Sequence, residues 1–319
     1  MQLRKCKVGD ATPGPGDRTM MQRKSQLDAF GVTALLGFAL LMALNQIIIK
    51  FTNAGLQPVF FAGLRSAGAV VCIGAYIWAR GIPFRISRAT LIGGLWAGLF
   101  FTGEFFLLFT ALDHTTVSRS VIMLYSMPIW MAIGAHLFIP GERITGRKAL
   151  GLALAMVGVV VAMSDRGTVG QSSLFGDLCA LGAALCWASL ALVAKATDLK
   201  LARPEVQIFW QVLVSALILL VISPLFGPLI RELLPVHIAG LLFQIVVVVS
   251  AAFVFWFWLL SVYPASAVAS FSFVTPVFGV GLGWLMLGDQ VGVRLIGALA
   301  LVAVGIVLIN TVKSRKTSG

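Results

Sequence analysis

Apolar residues in this chain gather into continuous blocks separated by short polar turns, from Ala29 to about residue 311. The blocks fall near 29–51, 58–79, 90–112, 117–139 and 147–164, and again near 174–195, 205–226, 237–261, 264–287 and 291–311. As helices rising about 1.5 Å per residue they can cross a hydrocarbon core of roughly 30 Å. Breaker residues mark the joins, among them Asn53-Ala54-Gly55, Gly81-Ile82-Pro83, Pro140-Gly141-Glu142, Arg203-Pro204, Gly227-Pro228 and Tyr263-Pro264. No block alternates with the period of two that a membrane β-barrel requires. The pattern predicts an all-α integral membrane protein of ten transmembrane helices, with no soluble domain.

The pattern also repeats. Met127-Pro128, Gly141-Glu142, Arg147 and Gly158 recur 147 to 148 residues later as Thr275-Pro276, Gly288-Asp289, Arg294 and Gly305. The chain therefore divides into a first repeat, 29–164, and a second, 174–311, flanked by a tail at 1–28 and another at 312–319. Five spans is an odd number, so the second repeat enters the membrane inverted relative to the first. Two similar halves related by an axis in the membrane plane can exchange conformations, which is how many secondary transporters alternate access to a midplane site.

Composition agrees: 59% of residues are apolar, 11% are charged and the mean hydropathy is +0.97, far from a soluble domain. With the N-terminus placed inside, 18 of the 24 Lys and Arg residues lie on the inner side and five outside, with Arg65 left in a span. The expected topology is N-in and C-in, in a bacterial-type inner (plasma) membrane. The net charge of +12 then points to anionic lipid, not to nucleic acid. The polar first tail, with Pro13-Gly14-Pro15-Gly16, is expected to be disordered and carries no signal-peptide core; Met20-Met21 just before the first span suits a later start. Four cysteines form no metal or disulfide spacing, and His114, His136 and His237 are scattered. No Walker A motif occurs, so neither an enzyme, a resident cofactor nor direct use of ATP is expected. A passive channel would need rings of polar groups that these spans lack.

Glu104 is the acidic residue that falls well inside a span. It stands eight residues before Leu112, and Arg65 seven after Pro58, so both lie about 10–12 Å below the outer surface and could pair. Two readings stand: a structural tie between helices, or a site where Glu104 exchanges a proton and Arg65 holds a substrate carboxylate. The second repeat has Gln211 opposite Arg65 and Ala252 opposite Glu104, so the charge is one-sided. Pro128 and Pro276, near the middle of spans four and nine, remove backbone donors and free the carbonyls of Leu124 and Ser272, either as fixed kinks or as gates. Tyr125, Ser126, Ser270, Ser272 and Thr275 are placed to satisfy those carbonyls. Asn45, Trp187, Trp210, Gln211 and Trp256 complete the candidate cavity lining for a small-molecule substrate. Phe100, Phe101, Phe105, Phe253, Phe255 and Trp258 are expected to face lipid or pack, and Lys50 and Lys195 to snorkel. Gly151, Gly158, Gly297 and Gly305 allow close helix approach, within the chain or in a homodimer.

The segment Ala111-Leu112-Asp113-His114-Thr115 to Pro128, followed by Gly141-Glu142-Arg143, resembles the signature of EamA-like members of the drug/metabolite transporter superfamily. So does Leu260-Ser261-Val262-Tyr263-Pro264-Ala265-Ser266 to Pro276, followed by Gly288-Asp289. Asn45 and Lys50 fit the first span, whereas Met42-Ala43 stands where the family commonly has Trp-Gly. The resemblance implies a ten-helix transporter with a central cavity, often exporting amino acids, metabolites or drugs. The expected function is export of a small organic metabolite, driven by its gradient or by protons. An uptake permease and a lipid-handling or scaffold protein are the alternatives.

Overall fold

A computed structural model describes residues 28–83, 88–139, 142–164, 173–263, 271 and 273–310. The two tails, the turn at 140–141, the 165–172 connection, Ser270 and Ser272 lie outside the described residues. The helices are α1 (Ala29–Gly55), α2 (Pro58–Ala79), α3 (Arg88–His114), α4 (Val117–Leu124), α5 (Met127–Phe138) and α6 (Gly146–Ser164) in the first repeat. The second holds α7 (Leu174–Ala196), α8 (Pro204–Ile222), α9 (Pro235–Phe243), α10 (Ala252–Val262), α11 (Val274–Leu287) and α12 (Val293–Asn310). A π-helical stretch, Gln244–Ala251, joins α9 to α10. Spans four and eight are thus the pairs α4–α5 and α9–α10. Eight helical segments are long and apolar enough to cross a membrane, and α11 and α12 are shorter apolar helices in the ninth and tenth positions.

Local chemistry starts and stops these helices. The Asp28 carboxylate accepts from the Gly31 N–H at 2.8 Å, Gln57 Oε1 from Phe60 at 2.6 Å and Ser173 Oγ from Gly176 at 3.0 Å. Proline occupies the first turn of α2, α8 and α9, where its missing donor costs nothing. Gly288 ends α11 at φ +66°, a left-handed conformation that suits glycine.

Eight spans form a ring, in the order one, nine, four, six, three, seven, two, eight and back to one. Spans five and ten pack on each other as an appended pair. Exchange of the repeats maps this ring onto itself: the one–nine contact becomes six–four, three–six becomes eight–one, and three–seven becomes eight–two. Direct evidence of the inversion comes from α2 and α8, equivalent helices that run antiparallel. Gly63 meets Leu220, Ser66 Oγ lies 3.0 Å from Ser215 Oγ, and Gly74 meets Phe209.

The glycines of spans five and ten obey the same symmetry. A Cβ at Gly151 would stand 2.8 Å from the Gly305 carbonyl oxygen, and one at Gly158 would stand 2.7 Å from that of Ala298. Gly158 and Gly305 are repeat equivalents, as are Gly151 and Ala298, so the two contacts are one contact seen from either half. These glycines serve packing within the chain; Gly297 faces open space.

The main apolar core lies toward one end of the ring. It gathers Ile49, Leu56, Phe61, Phe109, Leu112, Val117, Ile122 and Val280 at the end marked by Asp113. A smaller cluster, with Ile73, Ile77, Phe101, Ile208, Val212 and Val249, sits toward the end marked by Arg80. Overpacking a close helix crossing costs about 1–3 kcal/mol. Gly158→Leu is therefore expected to lower the melting temperature in detergent, while Gly297→Leu leaves it unchanged; equal effects of the two would contradict the crossing described here.

Candidate functional site

Arg65 and Glu104 both point into the ring. Arg65 is 2% exposed and Glu104 7%, which places two ionisable groups at mid-depth in an apolar protein. Glu104 is within electrostatic reach of Arg65, of Tyr125 and of Cys186. The expected pairing does not form: among the described ion pairs none joins Glu104 to Arg65. The guanidinium instead stacks on Phe105, 3.8 Å from the ring centroid, with Phe109 at 5.4 Å. A cation over a buried aromatic face gains roughly 2 kcal/mol, yet Arg65 Nε and Nη1 keep no hydrogen-bond partner. Phe105 takes the packing role of the two expected for it, beside Phe101 and Phe109, and offers the face on which the guanidinium rests.

Tyr125 closes the other side. It caps the C-terminus of α4, lies near Thr275 of α11 and meets Trp187 of α7 edge-on, with centroids 5.8 Å apart. Side chains from five spans thus bring two opposite charges, a phenol and an indole near one another. Of the other candidates, Asn45 is tied to Gln244 on the neighbouring span eight, whose Nε2 donates to Asn45 Oδ1. Gln211 is buried on α8, and Trp256 stacks on Phe38 at 4.9 Å, joining spans eight and one. Gln244 and the buried Gln46, whose Oε1 has no partner, are polar groups that sequence reasoning missed. A glutamine amid apolar residues carries no charge to draw attention.

Pro128 breaks its span more sharply than a kink. Span four stops at Leu124, turns through Tyr125 and Ser126, and restarts with Pro128 in the first turn of α5. Ser126 bridges the break: its hydroxyl donates to the Met123 carbonyl at 2.6 Å and accepts from Trp130 Nε1 at 3.2 Å. Pro276 likewise stands in the first turn of α11, and it is buried.

Toward the Asp113 end the ring is laced by polar contacts. Arg119 and Asp177 form a buried, two-pronged ion pair, 5% and 3% exposed, and Thr115 Oγ1 donates to the same carboxylate at 2.8 Å. Asp289 Oδ2 accepts from both the N–H and the hydroxyl of Ser118, at 2.8 and 2.7 Å. Arg231 grips Asp113 at 2.8 Å through both its terminal nitrogens, and this hydrogen bonding raises its pKa above the ordinary guanidinium value. Lys50 does not snorkel: its Nζ donates to the carbonyls of Leu112 and Thr115 at 2.9 and 2.6 Å. The C-terminus of α3 offers orphan carbonyls and a negative dipole end, which explains the capture. Lys195, its repeat equivalent, is exposed.

Toward the Arg80 end, by contrast, a cavity of about 700 Å³ opens between spans one, two, seven and eight. Phe253, Phe255 and Trp258 line it, where the sequence suggested lipid or packing positions. Polar contacts lace the ring at one end, and the cavity lies toward the other.

Removing one partner of a buried ion pair costs about 3–5 kcal/mol, whereas replacing both by apolar groups can be neutral. Asp177→Ala is expected to lower thermal stability by that order and to speed alkylation of the buried Cys179 one half-turn on. Arg119→Met with Asp177→Leu should recover most of the loss; no recovery would show that the pair does more than hold this end shut.

The sequence profile of the EamA-like transporter family matches this chain twice, at residues 29–164 and 174–311. A Bacillus subtilis protein named "Uncharacterized transporter YoaV" is 26% identical over 303 residues, which cover 92% of this chain and 99% of that protein. An Escherichia coli protein named "Probable amino-acid metabolite efflux pump" is 25% identical over 85% of this chain and 91% of its own length. A solved crystal structure shares the fold with a TM-score of 0.61 at 21% identity, covering 87% of this chain and 98% of that one. With the ring of inverted repeats and two matches spanning most of its length, this multi-pass membrane protein belongs to the EamA-like transporter family.

Proposed function

We propose that this transporter exports a small zwitterionic metabolite of the amino-acid class by alternating access, reading its carboxylate with Arg65 and its ammonium with Glu104. One observation carries the reading: a buried guanidinium with two unused donors, held near a buried carboxylate that it does not touch. A buried donor without a partner costs about 1–3 kcal/mol, and hydrogen bonds to charged groups are worth about 1.5–3 kcal/mol each. A ligand with a carboxylate at one end and an ammonium at the other would complete both groups at once. Tyr125, Trp187 and Thr275 would enclose its body. The name of the Escherichia coli relative, an amino-acid metabolite efflux pump, agrees with that substrate class.

The topology expected from the sequence supports the export direction. The charge distribution assigns the Asp113 end to the outside and both tails to the cytoplasm, with 18 of 24 basic residues inside. The ring described here is then closed outside and hollow toward the cytoplasm, the state in which an exporter loads. The break before Pro128 and the matching Pro276 in the first turn of α11 are the places where the spans would bend to exchange the two ends. When no substrate is bound, Glu104 would carry the proton that couples flux to the pH gradient.

Reconstituted protein supplied with a panel of amino acids tests this. Arg65→Lys keeps the charge but loses the planar fork, and is expected to raise the KM for transport at least about tenfold, equivalent to ~1.4 kcal/mol. Glu104→Gln should insert and fold normally while its flux no longer responds to an imposed pH gradient. Wild-type flux that ignores the gradient would remove the coupling role, and loss of folding together with flux would mark the two charges as structural.

A further inference from the structure

The cavity toward the Arg80 end contains a second carboxylate that the transport reading does not use. Glu205 lines it from the first turn of α8. An acidic residue in a first turn ordinarily complements the helix dipole, but here the N–H groups of Val206 and Gln207 already bond to the Arg203 carbonyl, at 3.0 and 3.1 Å. Glu205 Oε2 is shut away from solvent with no hydrogen-bond partner. Among the described residues lining the cavity, no lysine, arginine or histidine accompanies it.

The remaining walls are aromatic and aliphatic. Phe255 stacks on Trp258 at 5.7 Å, Phe30 meets Trp258 edge-on at 6.0 Å, and Tyr76 and Phe253 complete the aromatic face. One wall is the π-helical stretch, contributing Val246, Val249, Ser250 and Ala251. Ser250 Oγ donates to the Ile245 carbonyl five residues back at 2.8 Å, which holds the wider turn. Such departures from α geometry are uncommon and recur at functional sites. At about 700 Å³ the cavity has the size of a small-molecule site.

This site is not the Arg65 pocket. Tyr76 is eleven residues beyond Arg65 along α2, about 16 Å at helical rise. Ile73, Ile208 and Val249, packed with Phe101 and Phe105, lie between. A zwitterion bound at Glu205 would leave its own carboxylate without a donor among apolar walls. A single positive charge on an apolar body fits, because the carboxylate neutralises the charge and the aromatic faces attract the cation.

We propose that the cavity bounded by Glu205, Tyr76, Phe253 and Trp258 is a binding site for a small amphipathic amine, with Glu205 as its counter-ion. The inference is independent of the substrate assigned to the Arg65 pocket, and it is read by binding, not by flux.

The test uses the purified full chain in maltoside micelles with radiolabelled octylamine, and with octanol and octanoate as tail-matched competitors. Wild type is expected to bind one octylamine saturably, at least about tenfold more tightly than octanol, and octanoate should not compete. Glu205→Gln should abolish the preference of octylamine over octanol, Tyr76→Leu should weaken binding several-fold, and Glu104→Gln should leave octylamine binding intact. Octanol equal to octylamine in the wild type would overturn the proposal without recourse to any variant. Persistence of the preference in Glu205→Gln would overturn it too, as would its loss in Glu104→Gln, which would move the amine to the central pocket. Displacement of octylamine by added phosphatidylethanolamine would assign the cavity to a lipid headgroup and overturn it as well.

Discussion

Hydrocarbon does not tolerate an unpartnered charge or an open backbone polar group, and the placement of nearly every polar side chain here answers to that constraint. Toward the Asp113 end the charged groups are answered: Arg119 takes Asp177, Arg231 takes Asp113, Ser118 serves Asp289, and Lys50 takes the carbonyls at the end of α3, while only the uncharged Asn53 Oδ1 and Ser120 Oγ stay without a partner among the described groups there. Each contact joins elements distant in sequence, so satisfying charge and closing the ring are the same event. At mid-depth the answer is incomplete, since Arg65 has aromatic surface beneath it but two idle donors. Those idle donors are what the proposed binding pocket rests on.

The inverted symmetry explains how such a pocket can be reached from two sides. The α2–α8 and α6–α12 crossings map onto themselves when the repeats are exchanged, down to the pairing of Gly151 with Gly305 and of Gly158 with Ala298. Span four breaks just before Pro128, and the matching Pro276 stands in the first turn of α11. The chemistry is not symmetric: Gln211 and Ala252 stand where Arg65 and Glu104 do in the first half. Symmetric scaffold and one-sided charge divide the labour, because moving two halves needs equivalent packing, whereas recognising an asymmetric ligand needs unlike groups.

Much of this was legible in the sequence. Apolar blocks of membrane length mark the spans, and the repeat of Pro128, Glu142 and Gly158 as Pro276, Asp289 and Gly305 gives the inversion once spans are counted. Counting residues from span ends places Arg65 and Glu104 at the same depth, as rise per residue is a constant of the helix. Their lateral relation was not legible. Pairing was a reasonable expectation, but the helices are apolar nearly all round, so no stripe says which neighbour a side chain meets. Phe105 could not be distinguished from a lipid-facing phenylalanine, nor Lys50 from a snorkelling one. Glu205, at the start of span seven, carries no signal in the sequence, because only the surrounding walls isolate its Oε2.

Sequence by itself determined what the membrane dictates one helix at a time: the apolar spans, the duplication, the inverted order of the halves and the depth of each ionisable group. Tertiary structure decided which charges are spent on holding the ring shut and which remain available. It joined Arg119 to Asp177 across 58 residues, set Arg65 on Phe105 instead of Glu104, and walled Glu205 into a cavity. The division has a physical cause. Transfer into hydrocarbon is a property of each segment and can be read locally, whereas satisfying a buried polar group depends on which surfaces meet, and that is settled only when the helices pack.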